Sequence, residues 1–178
     1  DITALSRALT EPDEDIPDTQ EKRVFYIIHK ILQDEGHPYA LADFEADLFV
    51  GEDTLRKDLP AIRKKLKDFD LTIDQRDGKL FISGDEVSKR KMLADIIYIE
   101  FNDKILSLYN IEKAFPAYDL NALRELLVEV CNDYHFFINE YALTSLVLDL
   151  VISIDRIRNN FYSEPNRNAY TFGEREQS

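Results

Sequence analysis

Val50-Gly51-Glu52-Asp53-Thr54-Leu55-Arg56-Lys57-Asp58-Leu59, Ile62-Arg63-Lys64-Lys65-Leu66, then Leu71-Thr72-Ile73-Asp74-Gln75-Arg76-Asp77-Gly78-Lys79-Leu80-Phe81-Ile82: the period of the apolar residues changes within this stretch. Leu55, Leu59, Ile62 and Leu66 recur at helical spacing, which predicts a helix beginning near Asp53 with those four side chains inward. Pro60 removes one backbone bond there, so a kink or a join between two pieces is expected. From Leu71 the residues alternate around Asp77-Gly78, a favoured pair for a two-residue hairpin turn. A helix followed by a β-hairpin is the expectation.

Reading toward the N-terminus, Val24, Ile27, Ile28, Ile31 and Leu32 predict an amphipathic helix over 20–35. Thr19 or Asp18 would cap it, Gly36 would end it, and Pro38 would prevent its extension. Leu41, Phe44 and Leu48 share one face of a short helix ending at Phe49, with a turn at Val50-Gly51. Helix, short helix, turn, helix and hairpin is the order of a winged helix-turn-helix, placed at residues 20–84. Residues 1–19, with Glu11-Pro12-Asp13-Glu14-Asp15, read as an acidic linker or tail.

Beyond Ser83-Gly84 the pattern is helical throughout, and residues 85–178 are expected to form an α-helical bundle. One long helix is predicted from Glu86 to Leu108, with Val87, Met92, Ile96, Ile97, Ile99 and Leu106 among its apolar positions. Phe115-Pro116 breaks the pattern, and Asp119 caps a helix to about Tyr134. Asn139 caps another, Glu140 to Arg158, whose expected face is Leu143, Leu146, Val147, Leu150, Val151, Ile154 and Ile157. The tail from Tyr162 to Ser178 is polar. The fold class is therefore mainly α with a small β-hairpin.

Five glycines, six prolines and 44% apolar residues exclude a collagen-like chain and wholesale disorder. Asp149 and Ser153 interrupt the most apolar stretch, so no membrane span is expected. A single cysteine, Cys131, excludes an intrachain disulfide and fits a reducing cytoplasm. The only methionine is Met92 and the chain opens on Asp1-Ile2-Thr3, which reads as an excised or processed piece. Net charge is −13, which by itself opposes nucleic acid. Yet Arg56, Lys57, Arg63, Lys64, Lys65 and Lys67 crowd into one predicted helix, with Asp58 the only acid between them.

Catalytic candidates are few. His29, His37 and His135 have no metal-ligand spacing and read as surface or cap residues. Cys131 beside Val130 reads as a buried, inert thiol. There is no glycine-rich phosphate loop and no nucleophile elbow, so no enzyme, metal or cofactor is expected. In a helix-turn-helix, the second helix enters the major groove with its first residues. Thr54, Arg56 and Lys57 would be those contacts, with Arg63 and Lys64 on phosphates and Arg76 and Lys79 of the hairpin on backbone or minor groove. The alternative is a solvated charged face on a winged helix that docks another protein.

The run from Val50 to Leu59 with Ile62-Arg63-Lys64-Lys65-Leu66 resembles the helix-turn-helix of bacterial transcription regulators controlled by the sugar phosphotransferase system. That group includes mannitol-operon activators, virulence regulators of the Mga type and sugar antiterminators. Leu80-Phe81-Ile82-Ser83-Gly84-Asp85-Glu86 is similar to the family's wing and exit segment. Ile138-Asn139-Glu140-Tyr141-Ala142-Leu143 and Leu146 to Ile157 resemble the opening half of a phosphotransferase regulation domain (PRD). The resemblance implies DNA as partner, a homodimer, and a phosphocarrier or enzyme II component upstream. It also implies that Asp149 stands where the family carries a phosphorylatable histidine. Gly51-Glu52-Asp53 departs from the serine and basic or small residue usual in that turn. Asp149 paired with Arg156 at the surface is the competing reading of that position.

Two functions follow as alternatives: a DNA-binding regulator responding to carbohydrate status, or a degenerate winged helix plus PRD serving as a dimerisation module. An RNA-binding antiterminator is a weaker third, since no run of strands for a small β domain is present.

Overall fold

The computed structural model describes residues 17–100 and 107–162. Most of the acidic segment expected over 1–19, Leu106, and the tail beyond Tyr162 lie outside the described residues. Helix α1 spans Gln20–Gln33. Its cap is Thr19, whose extended backbone lets the hydroxyl accept the Lys22 N–H at 3.2 Å. The expected stripe is buried, with Phe25 added to it.

Two-residue strand β1, Tyr39–Ala40, follows directly after Pro38. It is too short for alternation to register in the sequence. Helix α2, Leu41–Leu48, buries Leu41, Phe44 and Leu48 as their spacing requires. The left-handed residue that turns the chain after it is Phe49, at φ 52°, and not Gly51.

Helix α3 spans Glu52–Lys67 without interruption, so Pro60 marks no join. The carbonyl its missing N–H leaves free is that of Arg56. Both residues are exposed, and water can take that place. Leu55, Ile62 and Leu66 are buried, while Leu59 is only half-buried and Asp58 takes the inner position instead.

Strands β2, Thr72–Arg76, and β3, Lys79–Ser83, pair antiparallel around Asp77-Gly78, whose φ angles of 51° and 79° are those of a type I′ turn. Strand β1 adds to the other edge of β3, making a three-stranded sheet in the order β1-β3-β2 rather than a lone hairpin. Ile73, Leu80 and Ile82 face the helices.

Helix α4 covers Glu86–Glu100. Ser107 caps a separate helix α5, Leu108–Ala114, so Leu108 opens a new element instead of closing the long helix expected from Glu86. Val87 is half exposed, whereas Met92, Ile96 and Ile97 are fully buried. Helices α6, Leu120–Asp133, and α7, Glu140–Arg158, have their expected caps, with Asp119 accepting from the Ala122 N–H and Asn139 from the Ala142 N–H, each at 2.9 Å.

The inner face of α7 is rotated from the expected one. Leu143, Thr144, Val147, Leu148, Val151, Ile152 and Arg156 are buried, whereas Ile154 and Ile157 are exposed. A helix apolar over most of its circumference carries too weak a phase for period alone to choose a face. The choice falls to its neighbours α4 and α6. Consequently Arg156 does not pair with Asp149: it is 2% exposed and bound to Glu35 and Glu86. The buried apolar residues form a continuous cluster from Val24 through the sheet and α4 to Ile152. Of the expected stripe, Leu143, Val147 and Val151 are covered within the chain, and further exposed apolar side chains occur at Leu126, Val130, Tyr134, Phe136 and Phe137.

Candidate nucleic-acid interface

Helix α3 separates its charges by direction. Lys57, Arg63, Lys64 and Lys67 are exposed, at spacings that put them opposite Leu55, Ile62 and Leu66. Among the described residues none of those four forms an ion pair. Arg56 lies on the same face, with its Nε donating to Glu52 Oε1 at 2.8 Å. Thr54 is half-buried, its N–H donating to the Gly51 carbonyl at 2.9 Å. Lys65 turns the other way: its ammonium meets Asp95 of α4 at 2.8 Å and lies over the rings of Phe25 and Phe69. Five of the six cations therefore face outward.

Asp58, the one acid among them, points inward and is 1% exposed. Arg23 of α1 donates to it through Nε at 2.8 Å and Nη2 at 3.2 Å, and Gln20 Nε2 adds a third bond at 2.9 Å. The hydrogen bond to Asp58 holds the Arg23 guanidinium above its ordinary pKa. The outer face of α3 is thereby more cationic than its sequence suggests. The available signal was positional, since Asp58 lies three residues after Leu55 and four before Ile62, on the apolar stripe itself.

At the tip of the wing, Arg76 and Lys79 are direct cross-strand partners. Like charges opposite one another disfavour a hairpin, by up to about 1 kcal/mol. Both side chains are exposed without an ion pair among the described residues, and Asp77 in the turn is the nearest acid along the chain. A local choice that works against the fold while concentrating positive charge on a projecting tip is suited to an anionic partner. The two basic surfaces, α3 and wing, belong to one core, because β2 packs on α3.

Helix-turn-helix, three-stranded winged sheet and an outward cationic helix accord with a family match over residues 19–96. The match is to the Mga helix-turn-helix domain. Two Bacillus subtilis (strain 168) proteins are similar over most of the chain. The probable licABCH operon regulator is 24% identical over 148 residues, covering 83% of this chain and 23% of the relative. The transcriptional regulator ManR is 28% identical over 141 residues, 79% of this chain and 22% of the relative. The chain thus spans less than a quarter of the length of either.

Other candidates fall outside the basic surface of the winged helix. His29 is half-buried rather than a surface residue, and desolvation lowers its pKa. His37 and His135 are exposed, His135 in a left-handed conformation at φ 53°. Cys131 is half-buried, contrary to the buried thiol expected, because α6 packs on α7 and α5 by one side only. It lines an open groove of about 470 Å³ with Val128, Phe136, Phe137 and Leu143. Asp149 is exposed on α7, its carbonyl accepting from Ser153 Oγ at 2.7 Å, and partial desolvation raises its carboxyl pKa. Among the described residues no group of acids, histidines and cysteine is placed to hold a metal ion, and no helix is long and apolar enough to cross a membrane.

Proposed function

We propose that this chain is part of a transcription regulator that binds DNA through α3 and the wing of its Mga domain. The unpaired cross-strand cations Arg76 and Lys79, on the same unit as the outward cations of α3, carry the reading. Both relatives are regulators by name, which supports it. Lys57, Arg63, Lys64 and Lys67 suit phosphate oxygens, Thr54, Arg56 and Lys57 lie nearest the groove-entering turn, and Arg76 and Lys79 reach backbone or minor groove. Residues 85–178 receive the signal, as a partial PRD answering to phosphotransferase components, with Asp149 a fixed negative charge at the regulatory position. A homodimer would use the exposed apolar side chains Phe136 and Phe137 after α6.

One observation favours a second reading, a docking module without DNA affinity. Glu52 and Asp53 occupy the leading turn of α3, and Glu52 engages Arg56. DNA binding requires that pair to open. The deciding experiment is fluorescence anisotropy against duplexes from upstream of the neighbouring genes, across a salt series. Arg56→Ala with Lys57→Ala should weaken binding and reduce the log–log salt slope by up to about 0.9 per lost phosphate contact. Thermal stability should hardly change, since both side chains are exposed. Unchanged affinity and slope in the double variant would favour the docking module.

A further inference from the structure

Arg156 is a cation built into the interior. Its side chain is 3% exposed, near the end of α7. Nε and Nη2 fork onto Glu86 at 2.8 and 2.7 Å, and Nη2 also reaches Glu35 at 2.6 Å. Nη1 donates to the carbonyl of Leu32, and the Phe161 ring lies 4.5 Å from the guanidinium carbon. The two carboxylates are tied in turn, Glu35 to Lys89 at 2.6 Å and Glu86 to Arg90 at 3.0 Å. Leu32 lies in the last turn of α1, where carbonyls have no partner within the helix. One carbonyl at the C-terminal end of α1 is therefore satisfied by a residue 124 positions away in sequence.

The other end of the same helix bears the Arg23–Asp58 pair to α3. Helix α1 is about 20 Å long by its rise per residue. It is held at its N-terminal end by the helix that carries the basic face and at its C-terminal end by α7. Between the two clamps Val24, Phe25, Ile27, Ile28, Ile31 and Leu32 are buried, so α1 cannot shift at one end without moving its packing along its length. A network of this kind adds little stability over apolar packing of similar volume, but removing one partner strands the others. Its distinctive property is geometric. A planar fork on two carboxylates and a carbonyl admits one arrangement of three helices, which a leucine would not impose.

We infer that Arg156 is a positioning residue for the DNA-binding surface: it fixes α7 against the C-terminal end of α1, and α1 sets the placement of α3. The functional half of this inference rests on the DNA-binding reading proposed above; the mechanical half does not. Asp149 lies two turns earlier on α7, so a change of charge or packing there acts on the helix that holds α1.

The test is hydrogen–deuterium exchange on the whole chain without DNA, for wild type, Arg156→Met and Glu35→Gln. Strands β2 and β3 serve as the internal reference for any global loss of stability. Arg156→Met is expected to speed exchange in α3 about tenfold more than in the hairpin, and Glu35→Gln, which leaves the Glu86 fork in place, by less. Arg156→Lys, which keeps the charge but not the fork, should behave like Arg156→Met. Acceleration confined to the last turn of α1, the first of α4 and the end of α7, or equal acceleration everywhere, would overturn the inference. A parallel titration uses a mixed-sequence 30-base-pair duplex at low salt. Weaker binding by Arg156→Met, with every surface cation intact, is expected. If wild type fails to bind that duplex while α3 responds in the exchange experiment, the DNA reading fails and the mechanical link stands; if α3 does not respond, the link fails whatever the duplex does.

Discussion

Replacing Asp58 with asparagine keeps the shape of the side chain and removes its charge. The carboxylate is 1% exposed and receives three hydrogen bonds, two of them from Arg23. Breaking a buried ion pair by removing one member costs about 3–5 kcal/mol, because the remaining charge is stranded. Arg23 keeps 12% of its side-chain surface and its Nη1 bond to the Asp18 carbonyl at 3.3 Å, so the low end applies, about 3 kcal/mol. In a chain of this size each kcal/mol lowers Tm by about 2–4 °C, which gives a fall of about 6–12 °C. Differential scanning calorimetry and urea unfolding at pH 7 measure it. The double variant Arg23→Met with Asp58→Leu removes both charges and should recover to within about 1 kcal/mol of wild type. A loss below about 1 kcal/mol in Asp58→Asn would mean the pair is solvated as a surface pair is. A double variant as unstable as the single one would show that shape, and not the stranded charge, sets the cost.

Three further outcomes are expected. Gly84→Ala should cost about 2–4 kcal/mol by urea unfolding, since its Cβ would stand 2.3 Å from Leu71 Cδ2 at φ +149°, whereas Gly78→Ala, at φ +79° with open space around it, should cost about 1 kcal/mol. Burial lowers the His29 pKa, so its contribution to stability is complete above the unfolded value near 6.5 and is lost as pH falls from there through the folded one; the urea midpoint should drop as pH falls below about 6.5, and His29→Phe should flatten that drop. Asp149→Asn should leave the urea midpoint unchanged or slightly raised, because desolvation disfavours the charge and Arg156 is engaged elsewhere; a clear loss of stability would reveal a partner for this carboxylate, and a shift in duplex affinity without one would support its regulatory role.

The order of the winged helix could be read from residues alone, because its signals are local. Helical spacing in Val24 to Leu32 and Leu41 to Leu48, the cap at Thr19 and the Asp77-Gly78 turn each act within a few residues, and each has its expected place. The basic face of α3 was legible for the same reason: exposed cations opposite an apolar stripe follow from helix geometry. What tertiary structure decided is where local signals compete or fall silent. Strand β1 is two residues long and exists only because β3 offers an edge. The phase of α7 was settled by α4 and α6, since leucine, isoleucine and valine around most of a helix leave several faces nearly equal in burial. Asp58 and Arg156 are the plainest cases. Charge alone sends both to water, and each is buried because its partners, Arg23 in one case and Glu35 with Glu86 in the other, are brought to it from 35, 121 and 70 residues away. No window of sequence contains both halves of such a pair, and desolvation forbids either half from entering the interior alone.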